Sequence, residues 1–274
     1  MSVIPDEDLV EAAKGIVEQA QRLKVPIRVM GGCAIRIHCA NHLKLHKVGM
    51  QRHIPDLDFV TLAKYRPSVK EVLKSFGYRS EVTMVGMPRD TYVNDEKAVH
   101  LDIFFDKLKM CHTIDLENRL ENDIPTLSLA DLLLTKLQVV EINEKDVKDL
   151  FVLLLEHDLG ESDKETIDTR YVIKLLSNDW GFYHTVATNL NKIKNIATER
   201  YTNILTPQDL ETILSRIQRL LSEIEKAPKS TKWKMRAKIG TKKLWYNEVE
   251  EVAMGTVTEY IMKKNAEQKE KLGH

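Results

Sequence analysis

The chain has 274 residues, of which 43% are hydrophobic and 30% are charged, and its 41 basic and 41 acidic residues give a formal net charge of zero. This is the composition of a globular protein with one large domain or two smaller ones, and it excludes a global electrostatic attraction to nucleic acid. No apolar run approaches the length of a membrane span, and residues 1–11 lack a signal pattern, so we expect a cytoplasmic protein without membrane contact.

The first 126 residues alternate between helical and strand patterns. Apolar spacing, together with Pro67 as a first-turn proline and Gly77 as a C-cap, predicts helices at 6–23, 34–43 and 67–77. Strands are predicted at 27–30, 78–85, 91–93 and 98–105. This part of the chain is therefore expected to form a mixed α/β (α+β) domain.

From Ser128 onward the pattern is one of consecutive helices. Ser128 and Asp131 have the spacing of a capping box before a leucine-rich helix. Further helices are predicted at 146–157, 164–176, 180–196, 208–224 and 246–264. We therefore predict a mixed-sheet core at 1–126, a helical domain at 127–227, and a basic segment with a C-terminal helix at 228–274.

A glycine pair, Gly31-Gly32, closes the first strand and opens the next helix. Such a turn supplies backbone N–H donors at the positive end of the helix dipole, which suits a polyphosphate. The spacing is neither a Rossmann fingerprint nor a Walker loop. The pair is a candidate phosphate-binding turn of another kind.

Two aspartates, Asp56 and Asp58, flank Leu57 within an apolar β-type run. Side chains at i and i+2 leave the same face of a strand, so these carboxylates would project together and repel each other. A cation between them relieves the repulsion, and carboxylate oxygens select Mg²⁺ or Mn²⁺. A structural role is the alternative, but an acidic pair in an apolar strand is costly without a partner.

A third acid, Asp102, lies between Leu101 and Ile103 in the strand predicted at 98–105. On a neighbouring strand it would complete the oxygen ligands of a two-metal centre, which activates an attacking oxygen and neutralises a triphosphate. The alternative is that Asp102 binds a buried arginine or pairs with His100. Asp106 is expected only to mark the end of the strand.

The order of these motifs, Gly31-Gly32, then Asp56-x-Asp58, then an apolar strand with Asp102, resembles the nucleotidyltransferase superfamily of the DNA-polymerase-beta type. The resemblance implies that the three aspartates hold two Mg²⁺ or Mn²⁺ ions and that Asp102 draws the proton from the attacking hydroxyl. It implies that the two glycines contact the β and γ phosphates of a nucleoside triphosphate (NTP). Many members have serine after the first glycine, and Gly32 lacks that hydroxyl.

Residues 127–138 and 145–150 are similar to the helical motif of the AbiE-type (AbiEii-like) toxin nucleotidyltransferases. The two resemblances together cover about residues 25–155. Lys136 would reach the triphosphate from the helical half as a compact point charge. Asp146 and Asp149, three residues apart on one helical face, would be directed towards Lys136 or the acceptor.

The activity implied is transfer of a nucleoside monophosphate from an NTP to an acceptor hydroxyl, with release of pyrophosphate. On the toxin branch the acceptor is RNA, such as tRNA, or a protein, and an antitoxin protein is an expected partner. The rival within the enzyme class modifies a small molecule, as aminoglycoside or lincosamide nucleotidyltransferases do. A binding module that keeps the fold without turnover is the alternative outside that class.

Two further patterns have structural alternatives. His38, His42 and His46 would share a helical stripe, which could bind zinc, but the spacing is uncommon and solvent-facing or substrate-facing histidines are the default. The three cysteines are expected to be reduced, buried thiols: Cys33, Cys39 and Cys111.

The segment 226–247 is basic, contains no acidic residue, and includes Trp233 and Trp245. Cations that pair with phosphates and rings that stack on unpaired bases predict an RNA acceptor site. The residues expected to contact the RNA are Lys232, Lys234, Arg236 and Lys238. The alternative is a solvated basic linker whose tryptophans pack against the helical half.

Overall fold

The structure is a computed structural model that describes residues 4–82 and 87–248. It has the predicted architecture, a mixed-sheet α+β half followed by consecutive helices. The helices are α1 (Asp6–Arg22), α2 (Gly31–His38), α3 (Arg66–Ser75), α4 (Leu129–Leu137), α5 (Glu144–Glu156), α6 (Thr169–Leu176), α7 (Trp180–Arg200), α8 (Pro207–Lys226) and α9 (Thr231–Ile239). The strands are β1 (Arg28–Met30), β2 (Leu57–Thr61), β3 (Arg79–Val82), β4 (Arg89–Asn94), β5 (Val99–Phe105), β6 (Lys107–Lys109), β7 (Thr113–Asp115), β8 (Leu159–Gly160) and β9 (Ile167–Asp168).

The main sheet has five strands in the order β1-β2-β5-β4-β3. Strands β2 and β5 are parallel, and the other neighbouring pairs are antiparallel. Alternate residues of β5 are buried and half-buried, which places Leu101 and Ile103 in the core and Asp102 on the other face. The two strands that carry the predicted acidic site are therefore neighbours at the middle of the sheet.

Helix α2 joins the sheet to the helical half, since it contacts β1 and β2 as well as α4 and α5. Every residue of α4 is buried, and this helix also contacts α5, α6 and α7. One hydrophobic core runs from α1 through the sheet to α8. Among the described residues, no helix is both long enough and apolar enough to span a bilayer.

The chain between the two halves pairs with the edge of the sheet. Val29 donates its N–H to Pro125 O at 2.9 Å, and Leu127 donates its N–H to Val29 O at 3.0 Å. The segment just before α4 therefore extends the sheet beside β1. The predicted domain limits at 126 and 227 stay predictions.

The largest difference from the predicted elements follows α2. The helix expected at 34–43 begins at Gly31 and ends at His38, and the chain then forms a 3₁₀ turn (Ala40–His42) and a π-helical turn (Leu45–Gly49). The predicted stripe of His38, His42 and His46 is therefore wrong, because the three residues do not lie on one regular helix.

Smaller differences occur at other element ends. Helix α6 begins at Thr169 rather than at 164, because Asp168 caps it by accepting hydrogen bonds from the N–H groups of Arg170 and Tyr171. The β6–β7 hairpin and α9 were not predicted. Of the helix predicted at 246–264, residues 246–248 are not helical and the rest lies outside the described residues.

Candidate functional site

The sheet brings Asp58 and Asp102 side by side. They are Cα partners in the parallel β2–β5 pair, and residues so paired have their side chains on the same face. Asp58 is also the partner of Met30, the residue that precedes the Gly31-Gly32 turn. Asp58 and Asp102 therefore meet beside the Gly31-Gly32 turn. Asp56 precedes β2 at an exposed bend, so its predicted position within the strand is wrong.

The carboxylates of Asp56, Asp58 and Asp102 form a cluster in which neighbouring negative charges repel each other. Burial, followed by the negative charges of Asp56 and Asp102, raises the pKa of Asp58 to about 7. The pKa of Asp56 is also raised, by partial loss of solvent and then by the charge of Asp102, although its surface still contacts water. Each carboxylate thus makes ionisation of another less favourable.

Gly31 has to be glycine for two reasons. Its φ of +67° lies in the left-handed region, which side chains rarely adopt. A Cβ at this position would also collide with Asp58 Oδ2. The turn that opens α2 is therefore in direct contact with the acidic cluster, and no side chain caps the first turn of this helix.

Asp102 already has two partners on the neighbouring strand β4. Thr91, its Cα partner, donates its hydroxyl to Asp102 Oδ1 at 2.7 Å, and Arg89 Nη1 donates to Oδ2 at 3.0 Å. The arginine is exposed rather than buried, and His100 lies 3.7 Å from Glu81 instead of pairing with Asp102. Asp102 therefore pairs with an arginine, as the structural alternative predicted, but this arginine is exposed and not buried.

Lys136, Asp146 and Asp149 form a buried ion-pair group. Lys136 Nζ donates to Asp146 Oδ1 and lies 2.8 Å from Asp149 Oδ2, and all three side chains are buried. Burial lowers the pKa of a lysine, but these two carboxylates raise that of Lys136 above its ordinary value. The predicted contact of Asp146 and Asp149 with Lys136 is thus observed, and the role of Lys136 towards a triphosphate stays a prediction.

A second cation, Arg52, was missed by the sequence analysis. It donates from Nε to Asp149 Oδ1 at 2.9 Å and from Nη2 to Asp149 Oδ2 at 3.0 Å. Its Nη2 lies over the first turn of α2, where a Cβ at Gly32 would collide with it. Arg52 and Asp149 are 97 residues apart in the chain, so no local pattern signalled the pair.

His46 extends this group towards the N-terminal helix. Arg36 donates to His46 Nδ1 at 2.8 Å, and because an arginine only donates and an ionised carboxylate only accepts, His46 Nε2 donates to Asp149 at 3.0 Å. Burial lowers the pKa of His46, which keeps the ring neutral. Burial would raise the pKa of Asp149, but Lys136, His46 and Arg52 hold it well below its usual range.

His46 is therefore a buried structural residue, and its predicted exposure is wrong. His38 and His42 are partly buried and lie against Thr126 Oγ1 at 2.5 Å and Glu156 Oε2 at 2.6 Å. The cysteines are free and buried as predicted. Burial, followed by the charge of Asp58, raises the pKa of Cys33 to about 12, so its thiol is not a ready nucleophile.

The acidic cluster fits a hard divalent cation in its chemistry. Asp56, Asp58 and Asp102 supply carboxylate oxygens only, and their mutual repulsion is what a cation would relieve. Within residues 4–82 and 87–248, no group of three or more His, Cys, Asp or Glu side chains is arranged so that it could hold a metal ion. Because Asp102 is also engaged by Arg89, side-chain movement would accompany cation binding.

The tryptophans of the basic segment anchor it to α7. The Trp233 ring meets that of Tyr183 edge-on at 5.1 Å, and Trp245 Nε1 donates to Thr185 Oγ1 at 3.1 Å. Arg236 is also engaged, since it donates to Gly240 O at 2.7 Å and to Lys243 O at 2.8 Å. These contacts correspond to the packing alternative, and the RNA contact predicted for Arg236 stays a prediction.

The lysines of the same segment are exposed. Lys232, Lys234 and Lys238 are on α9, and within the part of the chain that the structure describes they make no ion pair or side-chain hydrogen bond. Lys234 and Lys238 are four residues apart and therefore share one face of the helix. The segment thus combines an anchored inner side with an unpaired cationic outer side.

A scan against protein-family models found no match, and no curated protein matched the chain. Several solved structures are similar to it, among them the following three. The antibiotic-resistance factor ANT(2'')-Ia is 12% identical with a TM-score of 0.40, over 63% of this chain and 96% of that one. The lincosamide antibiotic adenylyltransferase LnuA with lincomycin bound is 19% identical with a TM-score of 0.39, over 52% and 94%. An antigenic nucleotidyltransferase-like protein from Paracoccidioides brasiliensis is 15% identical with a TM-score of 0.41, over 77% and 93%.

Proposed function

We propose that this protein is a metal-dependent nucleotidyltransferase that transfers a nucleoside monophosphate from an NTP to an acceptor hydroxyl. The observation that carries the proposal is the pairing of Asp58 with Asp102 on adjacent strands, against the Gly31 turn. An acidic cluster suits metal-bound phosphate, and an uncapped helix start beside it suits the phosphate oxygens themselves. A site for metal-bound phosphate next to a site for phosphate oxygens is what the transfer of a phosphoryl group requires.

In the proposed reaction the acceptor oxygen attacks the α-phosphorus of the NTP. The new O–P bond forms as the bond from the α-phosphorus to the bridging oxygen of the β-phosphate breaks, and pyrophosphate leaves. Asp102 accepts the proton of the acceptor hydroxyl, while Thr91 holds the orientation of its carboxylate. Bound Mg²⁺ ions on Asp56, Asp58 and Asp102 would neutralise charge on the triphosphate.

The test incubates the purified chain with each α-labelled NTP, Mg²⁺ and separate pools of total RNA, protein and small metabolites. We expect label in one acceptor pool and pyrophosphate in solution, and we expect Asp56→Asn and Asp58→Asn to abolish both. Asp95→Asn is the matched control, because Asp95 is an exposed aspartate paired with Arg79 at the sheet edge. Full transfer by Asp58→Asn would show that the acidic cluster is not the active site.

We further propose RNA as the acceptor class, on the basis of the exposed lysines of α9. In a chain with no net charge, Lys232, Lys234 and Lys238 provide a local cationic face. Phosphates bound there would release counterions, so binding would weaken as the salt concentration rises. The tryptophans do not support base stacking, since they contact α7.

The triple replacement of Lys232, Lys234 and Lys238 by Glu is expected to weaken RNA binding and flatten its salt dependence, with NTP affinity unchanged. Lys70→Glu with Lys74→Glu on α3 is the control, because these are also exposed lysines four residues apart. Binding of RNA by the triple variant as tightly as by the wild type would favour a small-molecule or protein acceptor instead.

A toxin-like role with an antitoxin partner is the remaining part of the proposal, and it follows from the resemblance of the segment that carries Lys136 and Asp149. Induced expression of the wild-type chain would then arrest growth, whereas Asp58→Asn would not. Normal growth on expression of a chain that is active in the transfer assay would refute the toxin role and leave the transfer activity standing.

A further inference from the structure

Arg52 lies at the start of α2 with its guanidinium almost completely enclosed. Its side chain is 6% exposed, and Nη2 occupies the space into which a side chain at Gly32 would project. The positive charge of Arg52 also opposes in part the rise in the pKa of Asp56, so Arg52 is within electrostatic reach of the acidic cluster. A buried cation, an uncapped helix start and the carboxylates are thus neighbours.

The hydrogen bonds of Arg52 leave two donors free. A guanidinium has five N–H groups. Nε and one N–H of Nη2 donate to Asp149, and one N–H of Nη1 donates to His53 O. Within the described ranges, the second N–H of Nη2 and that of Nη1 have no acceptor. Buried donors without a partner are costly, and a bound anion would satisfy them.

We propose that Arg52 is a phosphate-binding residue, which donates its two free N–H groups to the terminal phosphates of the triphosphate held at the Gly31-Gly32 turn. This inference rests on the proposed function. It supplies a cation whose donors lie in a rigid planar fork that matches two phosphate oxygens, a geometry that the flexible ammonium of a lysine lacks. It also explains the glycine at position 32, because the guanidinium fills the space where a serine hydroxyl would otherwise lie.

Asp149 is then a positioning residue rather than a residue that touches the nucleotide. It is fully buried and binds both cations: Arg52 donates to its two carboxylate oxygens and Lys136 lies against Oδ2, while His46 donates to Oδ1. Two side chains that would each lose rotamer freedom on binding phosphate are therefore held in place beforehand. Asp149→Asn should weaken phosphate binding only through these two cations.

The test measures the binding of inorganic tripolyphosphate and of ATP to the full chain by calorimetry, together with kcat and KM for the NTP used. Arg52→Ala should lower the tripolyphosphate affinity on the order of 10- to 100-fold, the range for hydrogen bonds between charged groups. Arg52→Lys should lose less, because it keeps the charge but not the paired donors. KM should rise more than kcat falls.

Arg119→Ala is the matched control, because Arg119 is a largely buried arginine that is also held by an aspartate, with its Nε 3.1 and 3.0 Å from the Asp131 oxygens. It should lower the melting temperature without changing the tripolyphosphate affinity. A double variant gives a second measurement, the rescue of tripolyphosphate binding, which a purely structural role of Arg52 would not predict. Gly32→Ser should weaken binding in the wild type, where it displaces Arg52, and should strengthen it in the Arg52→Ala background.

The outcomes separate this inference from the proposed function. Transfer by the wild type with unchanged tripolyphosphate affinity in folded Arg52→Ala would overturn the role of Arg52 alone. If Arg52→Ala does not fold, Arg52→Lys decides, and an affinity equal to that of the wild type overturns the proposal. Tripolyphosphate binding that depends on Arg52 without any transfer would retain the phosphate site and refute the enzyme. Failure of the wild type to bind tripolyphosphate or ATP would refute both.

Discussion

Charges of opposite sign face each other across the start of α2. Asp56, Asp58 and Asp102 concentrate negative charge that the protein itself neutralises only in part, through Arg89 on Asp102. Arg52 and Lys136, in contrast, both form ion pairs with the buried Asp149. The acidic cluster therefore carries negative charge that is only partly compensated, whereas each of the two cations already has a carboxylate partner.

The raised pKa of Asp58 gives a prediction for stability. Its folded-state pKa of about 7 lies above the unfolded value of about 3.9, so the folded state holds the proton longer and stability falls as the pH rises from about 4 to about 7. Asp58→Asn removes this loss. In EDTA at pH 8 we expect the free energy of unfolding of the variant to exceed that of the wild type by about 1 to 2 kcal/mol, a value reduced for partial solvent screening. Near pH 4 the two proteins should be equally stable.

Urea denaturation at the two pH values measures this difference. Asp95→Asn, at an exposed ion pair, should show no gain at pH 8. A stability difference between Asp58→Asn and the wild type that is the same at pH 4 and pH 8 would mean that Asp58 does not hold its proton as described.

At the same scale, the alternating apolar pattern of two strands was enough to predict that Asp58 and Asp102 share one face of the sheet. The i, i+2 spacing also predicted that Asp56 lies on the same strand, but Asp56 precedes β2 at an exposed bend. Arg52 gave no such signal. Its partner Asp149 is 97 residues away and its importance comes from burial, which depends on how the halves pack.

At the scale of elements, some helix starts could be predicted from the sequence, because a capping side chain lies within a few residues of the N–H group it satisfies. Ser128 accepts from the N–H of Asp131 as the spacing predicts, and Thr206 forms a full capping box with Asp209. The π-helical turn and α9 were missed for the opposite reason. The π-helical turn is fixed by the tertiary contacts of His46 with Arg36 and Asp149, and α9 by the contacts of its tryptophan with α7.

The β1–α2 turn provides a test at this scale. Gly31→Ala should destabilise the fold by about 2 kcal/mol or more, because the left-handed backbone costs about 1 to 2 kcal/mol and the new Cβ collides with Asp58. Gly77→Ala is the matched control. It has a similar φ of +79° but meets only the side-chain nitrogen of Asn94 at 3.1 Å, so its loss should be about 1 kcal/mol. Denaturant midpoints compare the two, and equal losses would show that the contact between Gly31 and Asp58 has no weight.

At the scale of the whole molecule, the sequence pattern predicted a mixed-sheet half followed by a helical half, but it did not predict how the two halves pack together. The change from mixed elements to helices near residue 126 is visible in the sequence. The docking of α2 against α4 and α5 and the ion pairs of Asp149 across the halves are not, because they depend on faces that become neighbours only after folding. The candidate site lies at that junction, which couples the formation of the site to the packing of both halves.

The continuous core predicts how the molecule unfolds. Apolar side chains from α1 to α8 form one cluster, and the segment 125–127 is hydrogen-bonded to β1, so neither half can separate without exposing buried surface. We expect one cooperative transition. All three tryptophans lie in the helical half at 180, 233 and 245, so their fluorescence reports on that half alone. Hydrogen exchange of the β2 and β5 amides reports on the sheet, and the two midpoints in denaturant should coincide. A tryptophan transition that precedes exchange in the sheet would instead support a separately folding domain that begins at the predicted limit near residue 126.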